Sequence, residues 1–214
     1  MSTLLIAFLR MFTYVRGLEA SINTLEARER ALKDYIQMLE PHAFKDSLTG
    51  AMQRWRFTDL LKEALRECER THSHIALLYL DLDGFKLIND THGHGVGDAF
   101  LRLVAHKIVE CAPGDAVICR MGGDEFSIFL TNPDGYTAIS LAREMRECLE
   151  NSHFRIEGEV MLQGATPISL ACKVSIGFAT TKSCGYDSDR LIHAADQCMY
   201  GDKKSWRVRQ KIRP

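Results

Sequence analysis

The sequence is short of the features that mark several protein classes. It has no long apolar run: Leu4 to Val15 is apolar, but the stretch is brief and Arg10 interrupts it. A spanning helix needs about 20 consecutive apolar residues. A secretory signal would show a charged start and a small-residue cleavage site, and neither stands out. Glycine (15) and proline (5) are sparse among 214 residues, which excludes collagen-like and disordered chains. An excess of one charge is also lacking, since 27 Lys+Arg face 28 Asp+Glu for a net of −1. No nucleic-acid partner is expected from that balance, and an anionic ligand needs a local site. The seven cysteines are odd in number and none forms a C-x-x-C pair. That argues against a disulfide framework or zinc ribbon and for reduced thiols in a cytoplasmic protein. A cut-down anchor, with residues 1–17 touching a membrane, is the alternative to a fully cytoplasmic chain.

The first forty residues carry a repeat instead. Apolar side chains fall at Leu4, Phe8, Met11, Val15, Leu18, Ile22, Leu25, Leu32, Ile36 and Leu39, in steps of four and three, and Glu29 fills the one polar position. This seam predicts an N-terminal coiled-coil helix over residues 1–40 that makes the chain a homodimer. A single amphipathic helix lying on the domain is the alternative, although its stripe is usually wider. Pro41 ends the helix. Beyond it, helices are expected at Trp55–Arg70, Asp98–Glu110, Tyr136–Asn151 and Asp189–Ser205, and strands at His74–Leu82, Ala116–Arg120, Phe126–Leu130 and Ser169–Ala179. Gly122-Gly123 makes the middle two strands a hairpin. The expected fold is α/β, a mixed central sheet flanked by helices.

Two acidic clusters close predicted strands: Asp81-Leu82-Asp83 and Asp124-Glu125. Crowded carboxylates repel and raise one another's pKa, a cost that a hard cation removes. Mg²⁺ is typically held by one or two carboxylates plus substrate phosphates. Taken singly, each cluster also reads as a solvated turn. Lys86 beside the first cluster suits a phosphate as a point charge. Asn89 and Asp98 suit guanine, the carboxylate accepting from the ring N–H and exocyclic amine and the amide answering the acceptors. The glycines between them fit a backbone that approaches a ligand closely, or a plain loop. The pairs His72/His74 and His92/His94 have ligand-like spacing but read as loop histidines.

Gly122-Gly123-Asp124-Glu125-Phe126 spells the signature of the GGDEF family, the diguanylate cyclases. Asp81-Leu82-Asp83-Gly84-Phe85-Lys86-Leu87-Ile88-Asn89-Asp90 resembles the family's D-x-D-x-F-K-x-x-N-D segment, and His94 to Asp98 its continuation. Asp46-Ser47-Leu48-Thr49-Gly50 resembles the opening D-x-L-T-G turn, and Ser175-Ile176-Gly177 and Ala195 to Tyr200 the later strand and helix. The resemblance covers about residues 44–209 and implies a nucleotidyl-cyclase-like GGDEF domain. It implies that two GTP give cyclic di-GMP and two pyrophosphates in a dimer, with two Mg²⁺, or Mn²⁺, per active site. By the same resemblance Asp81, the Leu82 carbonyl and Asp124 hold metal with support from Glu125, and Asp124 or Glu125 helps deprotonate the attacking hydroxyl. Gly84, Phe85 and Lys86 cradle phosphates, Asn89 and Asp98 read guanine beside Gly122 and Gly123, and Lys203 and Arg207 form a distal phosphate pair. A solvated helix end is the other reading of that pair.

The chain departs from the family pattern in four places. Pro113 and Ala116 stand where the product-inhibition site has Arg and Asp, and Asp115 is out of register, so that site is expected to be absent. Gln53 and Trp55 replace the usual Asn and Arg. Trp206 and Val208 replace Gly and Asn near Lys203 and Arg207. The segment Phe154 to Pro167 is longer than usual. A catalytically silent GGDEF module that binds GTP or protein partners is the alternative function.

Overall fold

The computed structural model describes residues 44–132, 138–157 and 166–212, with side chains to residue 205, and residues 11, 14–18, 21, 22 and 24–30 of the N-terminal segment. The chain divides into two compact units, Met1–Phe44 and Lys45–Pro214.

In the first unit the described residues within 11–30 are helical, and the seam residues Met11, Val15, Leu18, Ile22 and Leu25 are exposed. The seam positions Leu4, Phe8, Leu32, Ile36 and Leu39, and Pro41, lie outside the described residues. Among the described residues, no helix is long and apolar enough to cross a membrane.

The second unit is built around one strand. A short β1 (Met52–Gln53) leads into α1 (Arg54–Thr71), whose Phe57, Leu61, Leu65 and Cys68 share one buried face. β2 (Ile75–Leu82) follows, and all eight of its residues are buried, as a central strand covered on both sides requires. Successive side chains of a strand point to opposite faces. Ile75, Leu77 and Tyr79 therefore join α1 in one core, and Leu78, Leu80 and Leu82 enter the other.

α2 (Phe85–His92) and α3 (His94–Cys111) come next, then the hairpin β3 (Val117–Gly122) and β4 (Glu125–Thr131), and α4 (Ala138–Glu150). After β5 (His153–Ile156) and β6 (Ile168–Ala171) the chain forms β7 (Val174–Thr180), the short α5 (Thr181–Cys184) and the long α6 (Ser188–Ile212). The main sheet runs β1-β3-β4-β2-β7. β1 and β3 are parallel and the remaining pairs antiparallel. β5 and β6 make a separate antiparallel ribbon. Helices α3 and α4 pack on one side of the sheet, α1 and α6 on the other. A Cβ on Gly177 of β7 would fall 2.0 Å from the Met199 nitrogen and 2.1 Å from the Ala195 oxygen, so α6 lies directly on that strand.

The mixed sheet flanked by helices is the expected fold class. Four local expectations are corrected. The strand foreseen over Ser169–Ala179 is two strands, because β6 pairs with β5 and β7 with β2. Cys172, Val174 and Ile176 enter the core under α3 and α4, and Ser175 and Gly177 are buried as well, so β7 is covered on both faces. The glycine-rich stretch after Asn89 is the first turn of α3 rather than a loop. The helix expected from Asp98 therefore starts at His94, and the final helix extends to Ile212. Cys111 at the end of α3 and Cys148 on α4 stand next to each other, with Cα atoms 6.5 Å apart, and Cys68, Cys119, Cys172, Cys184 and Cys198 are free. Burial pushes the Cys119 and Cys172 thiols up to about 12.

Candidate active site

The end of β2 collects polar groups from three strands. Asp81 pairs in register with Glu125 of β4 on one side and Ser175 of β7 on the other. The Leu82 N–H donates to the Asp124 carbonyl at 3.2 Å. Strand alternation sends Asp81, Glu125 and Ser175 to the α6 side of the sheet. Asp81 is 6% exposed, and its Oδ1 accepts from the Lys203 ammonium at 2.5 Å. Ser175 donates to Asp83 Oδ2 at 2.8 Å, whereas Asp83 Oδ1 is buried without a partner. The Tyr79 hydroxyl donates to Glu125 Oε2 at 2.9 Å.

These surroundings shift the acids. Burial pushes the Asp83 carboxyl above its ordinary value, and Asp81 adds to the rise while Ser175 and Lys203 oppose it. Asp124 is raised likewise, by burial and then by Asp81. Burial and Glu125 raise the Tyr79 hydroxyl, so it stays a donor.

The hairpin turn is held from behind. Gly122 and Gly123 have φ of 148° and 54°, a region that side chains rarely adopt. Arg120 donates to the Gly123 carbonyl from Nε (3.0 Å) and Nη2 (2.8 Å). Its Nη1 donates to Asp46 Oδ1 at 2.9 Å, and that oxygen also accepts from the Thr49 N–H (2.9 Å) and hydroxyl (2.6 Å). Burial alone would raise the Asp46 carboxyl, but Thr49 and Arg120 hold it below the usual range. Arg120 reaches Asp46 because β1 lies parallel to β3, with Gln53 opposite Arg120.

Helices α2 and α3 form the neighbouring wall. The N–H groups of Leu87 and Ile88 donate to the Gly84 carbonyl, and Phe85 stacks on Phe100 at 6.5 Å. Phe85 is thereby tied to the core while Lys86 is exposed. Asn89 Oδ1 is buried with no partner. A Cβ on Gly97 would fall 1.8 Å from that oxygen, so the amide fits only because residue 97 lacks a side chain. Asp98, the next residue, is exposed.

The structure thus brings together Asp81, Leu82, Asp124, Glu125 and Lys203, with Gly84 to Lys86 following directly from β2 and Asn89 and Asp98 on the adjoining helices. The Lys203 ammonium stands against Asp81. Arg207 lies in α6, and its side chain is outside the described residues. Sequence reasoning missed four contributors: the orphaned oxygen of Asp83, the Tyr79 hydroxyl, the Arg120–Asp46 bridge, and Asp202. Asp202 Oδ2 accepts from Arg146 at 2.7 Å and from the Ile176 N–H at 3.1 Å, which fixes α6 beside Lys203. These four had no local signal in the sequence.

Among the described residues, no three His, Cys, Asp or Glu side chains already converge as a metal cage. The donor set still fits a divalent ion. Its oxygens are hard, Asp83 keeps one buried oxygen unpaired, and an ammonium stands against Asp81 where a cation belongs. Mg²⁺ takes few protein ligands and completes its shell with water and phosphate.

Fold and site are those of an α/β domain organised around an acidic glycine–glycine hairpin. The family model described as "Diguanylate cyclase, GGDEF domain" matches residues 43–209, and the chain belongs to this family. It is 33% identical over 179 residues to the Escherichia coli protein named cyclic di-GMP phosphodiesterase PdeR, a match covering 84% of this chain and 25% of that protein. The chain therefore spans only about a quarter of that relative. Among solved structures it resembles the coiled coil and GGDEF domain of DgcB from Caulobacter crescentus in complex with c-di-GMP. There the TM-score is 0.69 at 29% identity, over 88% of this chain and 95% of that one. It also resembles the GGDEF domain of the Pseudomonas aeruginosa protein called TpbB or YfiN, with a TM-score of 0.67 at 30% identity over 75% and 89%.

Proposed function

We propose that this chain is a diguanylate cyclase that condenses two GTP into cyclic di-GMP and two pyrophosphates as a homodimer with Mg²⁺ or Mn²⁺. The observation that carries the reading is the buried, unpaired Asp83 oxygen close to Asp81 at the end of β2, where Asp124 also faces Asp81. Buried polar groups are normally paired, so acceptors left open mark the place of a ligand.

Each residue then has a task. Asp98 accepts from the ring N–H and exocyclic amine of guanine, and the Asn89 amide answers the rest of that edge. Gly84, Phe85 and Lys86 cradle the β- and γ-phosphates at the start of α2. Lys203 and Arg207 neutralise them from α6. Asp81, the Leu82 carbonyl and Asp124 hold the divalent ions, and the Tyr79 hydroxyl orients Glu125 next to them. When bound, the ions stabilise the attacking and leaving oxygens of an in-line displacement. Asp124 or Glu125 receives the proton of the 3′-hydroxyl as that oxygen attacks the α-phosphate of the facing GTP, and pyrophosphate departs.

One domain, residues 44–209, serves one GTP, so two must face each other. Residues 1–40 supply the coiled coil that holds them together, and the exposed Met11, Val15, Leu18, Ile22 and Leu25 support that role. Tethering of this kind gives effective concentrations in the millimolar range. Pro113 and Ala116 leave little product inhibition through the usual motif, and the reaction draws on cytoplasmic GTP.

A second reading, a silent module that binds GTP or a protein partner, is favoured by one finding, the likeness to a relative named as a phosphodiesterase. Incubating the purified chain with GTP and Mg²⁺ and separating the products by chromatography decides between them. The cyclase reading expects cyclic di-GMP with two equivalents of pyrophosphate, no reaction of ATP, and no product from Asp98→Ala. GTP bound but unchanged would establish the silent module instead.

A further inference from the structure

Lys203 holds the most consequential contact that the cyclase reading leaves unexplained. Its ammonium lies 2.5 Å from Asp81 Oδ1, with side chains only 20% and 9% exposed. The contact is built into the fold. Asp202, the preceding residue, is bonded to Arg146 and to the Ile176 N–H, and Arg146 also donates to the Val174 carbonyl at 3.1 Å. Gly177 lets α6 sit directly on β7. The helix therefore delivers Lys203 to the end of β2. There it meets a carboxylate that needs a cation, beside Asp83 and Asp124.

We propose that in the nucleotide-free chain the Lys203 ammonium occupies the cation position on Asp81, excluding a divalent ion until the phosphates of an incoming nucleotide draw the ammonium away. The inference rests on the cyclase reading for the identity of the nucleotide. Its physical basis is that two cations cannot share one buried carboxylate oxygen. A metal arriving alone must displace Lys203 from Asp81 while itself neutralising the Asp83 and Asp124 charges that also attract the ammonium. A metal arriving with GTP brings the phosphates that take the ammonium over. Metal and nucleotide binding are then reciprocally coupled, and the empty site is protected from divalent ions by its own side chain.

The test is a Mn²⁺ titration of the full chain, followed by electron paramagnetic resonance of the free ion. Without nucleotide, Lys203→Gln and Lys203→Met should bind Mn²⁺ about tenfold tighter or more than the unmodified chain, as removal of an adjacent like charge requires. Lys203→Arg should stay weak. Lys204→Gln is the control for net charge, because Lys204 lies over the Tyr200 ring, 4.4 Å from its centroid, rather than on Asp81; it should leave the affinity unchanged. Adding a non-hydrolysable GTP analogue should bring the unmodified chain close to the Lys203→Gln value.

Equal Mn²⁺ affinity in the unmodified, Lys203→Gln and Lys203→Met chains would overturn the proposal, as would an equal gain from Lys204→Gln. An analogue that binds without tightening Mn²⁺ would also overturn it. An analogue that does not bind at all would remove the cyclase reading, while the nucleotide-free titrations would still decide whether Lys203 competes with the metal.

Discussion

Asp46 and Asp124 sit on two turns joined by one arginine, and they are treated in opposite ways. Asp46 Oδ1 accepts from Thr49 twice and from Arg120 once, and its carboxyl is held below the usual range. Asp124 follows the carbonyl that Arg120 grips from the other side, yet its own carboxyl is raised by burial and by Asp81. The first turn is complete in itself and serves stability. The second is complete only when something else arrives, so it serves a ligand. Polar satisfaction thus separates scaffold from site more sharply than residue type does.

Removing the shared arginine should erase the contrast and have the largest effect. Arg120→Met loses three donor contacts, including one to a charged partner. Hydrogen bonds to charged groups contribute about 1.5–3 kcal/mol, so unfolding should be easier by roughly 2 kcal/mol in a denaturant melt. With the Gly123 carbonyl released, cyclic di-GMP formation should fall on the order of a hundredfold, the scale of effect when a positioned group shifts by about 1 Å. Arg120→Lys, a single point charge in place of a fork, should rescue neither.

Gly97→Ala should act next in size and only on the site. The new methyl must displace the Asn89 amide. GTP binding should weaken about tenfold or more, with preference over ATP falling in parallel, since a site built to hydrogen-bond punishes misplacement. Stability should hardly move, because alanine favours a helix over glycine by about 1 kcal/mol and offsets the crowding. Calorimetric titration with both nucleotides checks this.

The smallest effect is in the pH dependence of stability, where the two aspartates should have opposite signs. Asp46 has a lowered value, so its stabilisation is complete above the ordinary carboxylate pKa of about 4 and is lost as pH falls through the lower folded value. Asp83 and Asp124 have raised values. Folding therefore loses stability as pH climbs from about 4 through those values, and regains it when Mg²⁺ is added. Melting temperatures across that range, with and without Mg²⁺, read both slopes.

Much of the site was legible in the sequence because its chemistry sits in short strings. The seven apolar residues of β2 announce a central strand, and acids at its end and in the hairpin announce the cleft. The Arg120–Asp46 bridge was not legible. It spans 74 positions and depends on β1, two residues long, lying parallel to β3. The start of α3 was hidden by Gly93, Gly95 and Gly97, which read as a loop until Asn89 is seen against Gly97. The nearness of Cys111 to Cys148 depends on α3 and α4 packing side by side, which no spacing reveals. Asp83 was visible as a charge, but its unpaired oxygen is a property of burial alone.

The most direct test measures thermal stability and cyclic di-GMP formation together in Asp46→Asn and Asp124→Asn. Asp124→Asn should keep its melting temperature or gain slightly, because a carboxylate that is costly to ionise has been neutralised. Its product formation should drop on the order of a thousandfold, the several kcal/mol of charge stabilisation that a held metal supplies. Asp46→Asn should melt several degrees lower, as a loss of about 1 kcal/mol implies for a domain of this size, while retaining far more activity. Product formation that persists in Asp124→Asn, or an unmoved melting temperature in Asp46→Asn, would contradict the division of the two turns into site and scaffold.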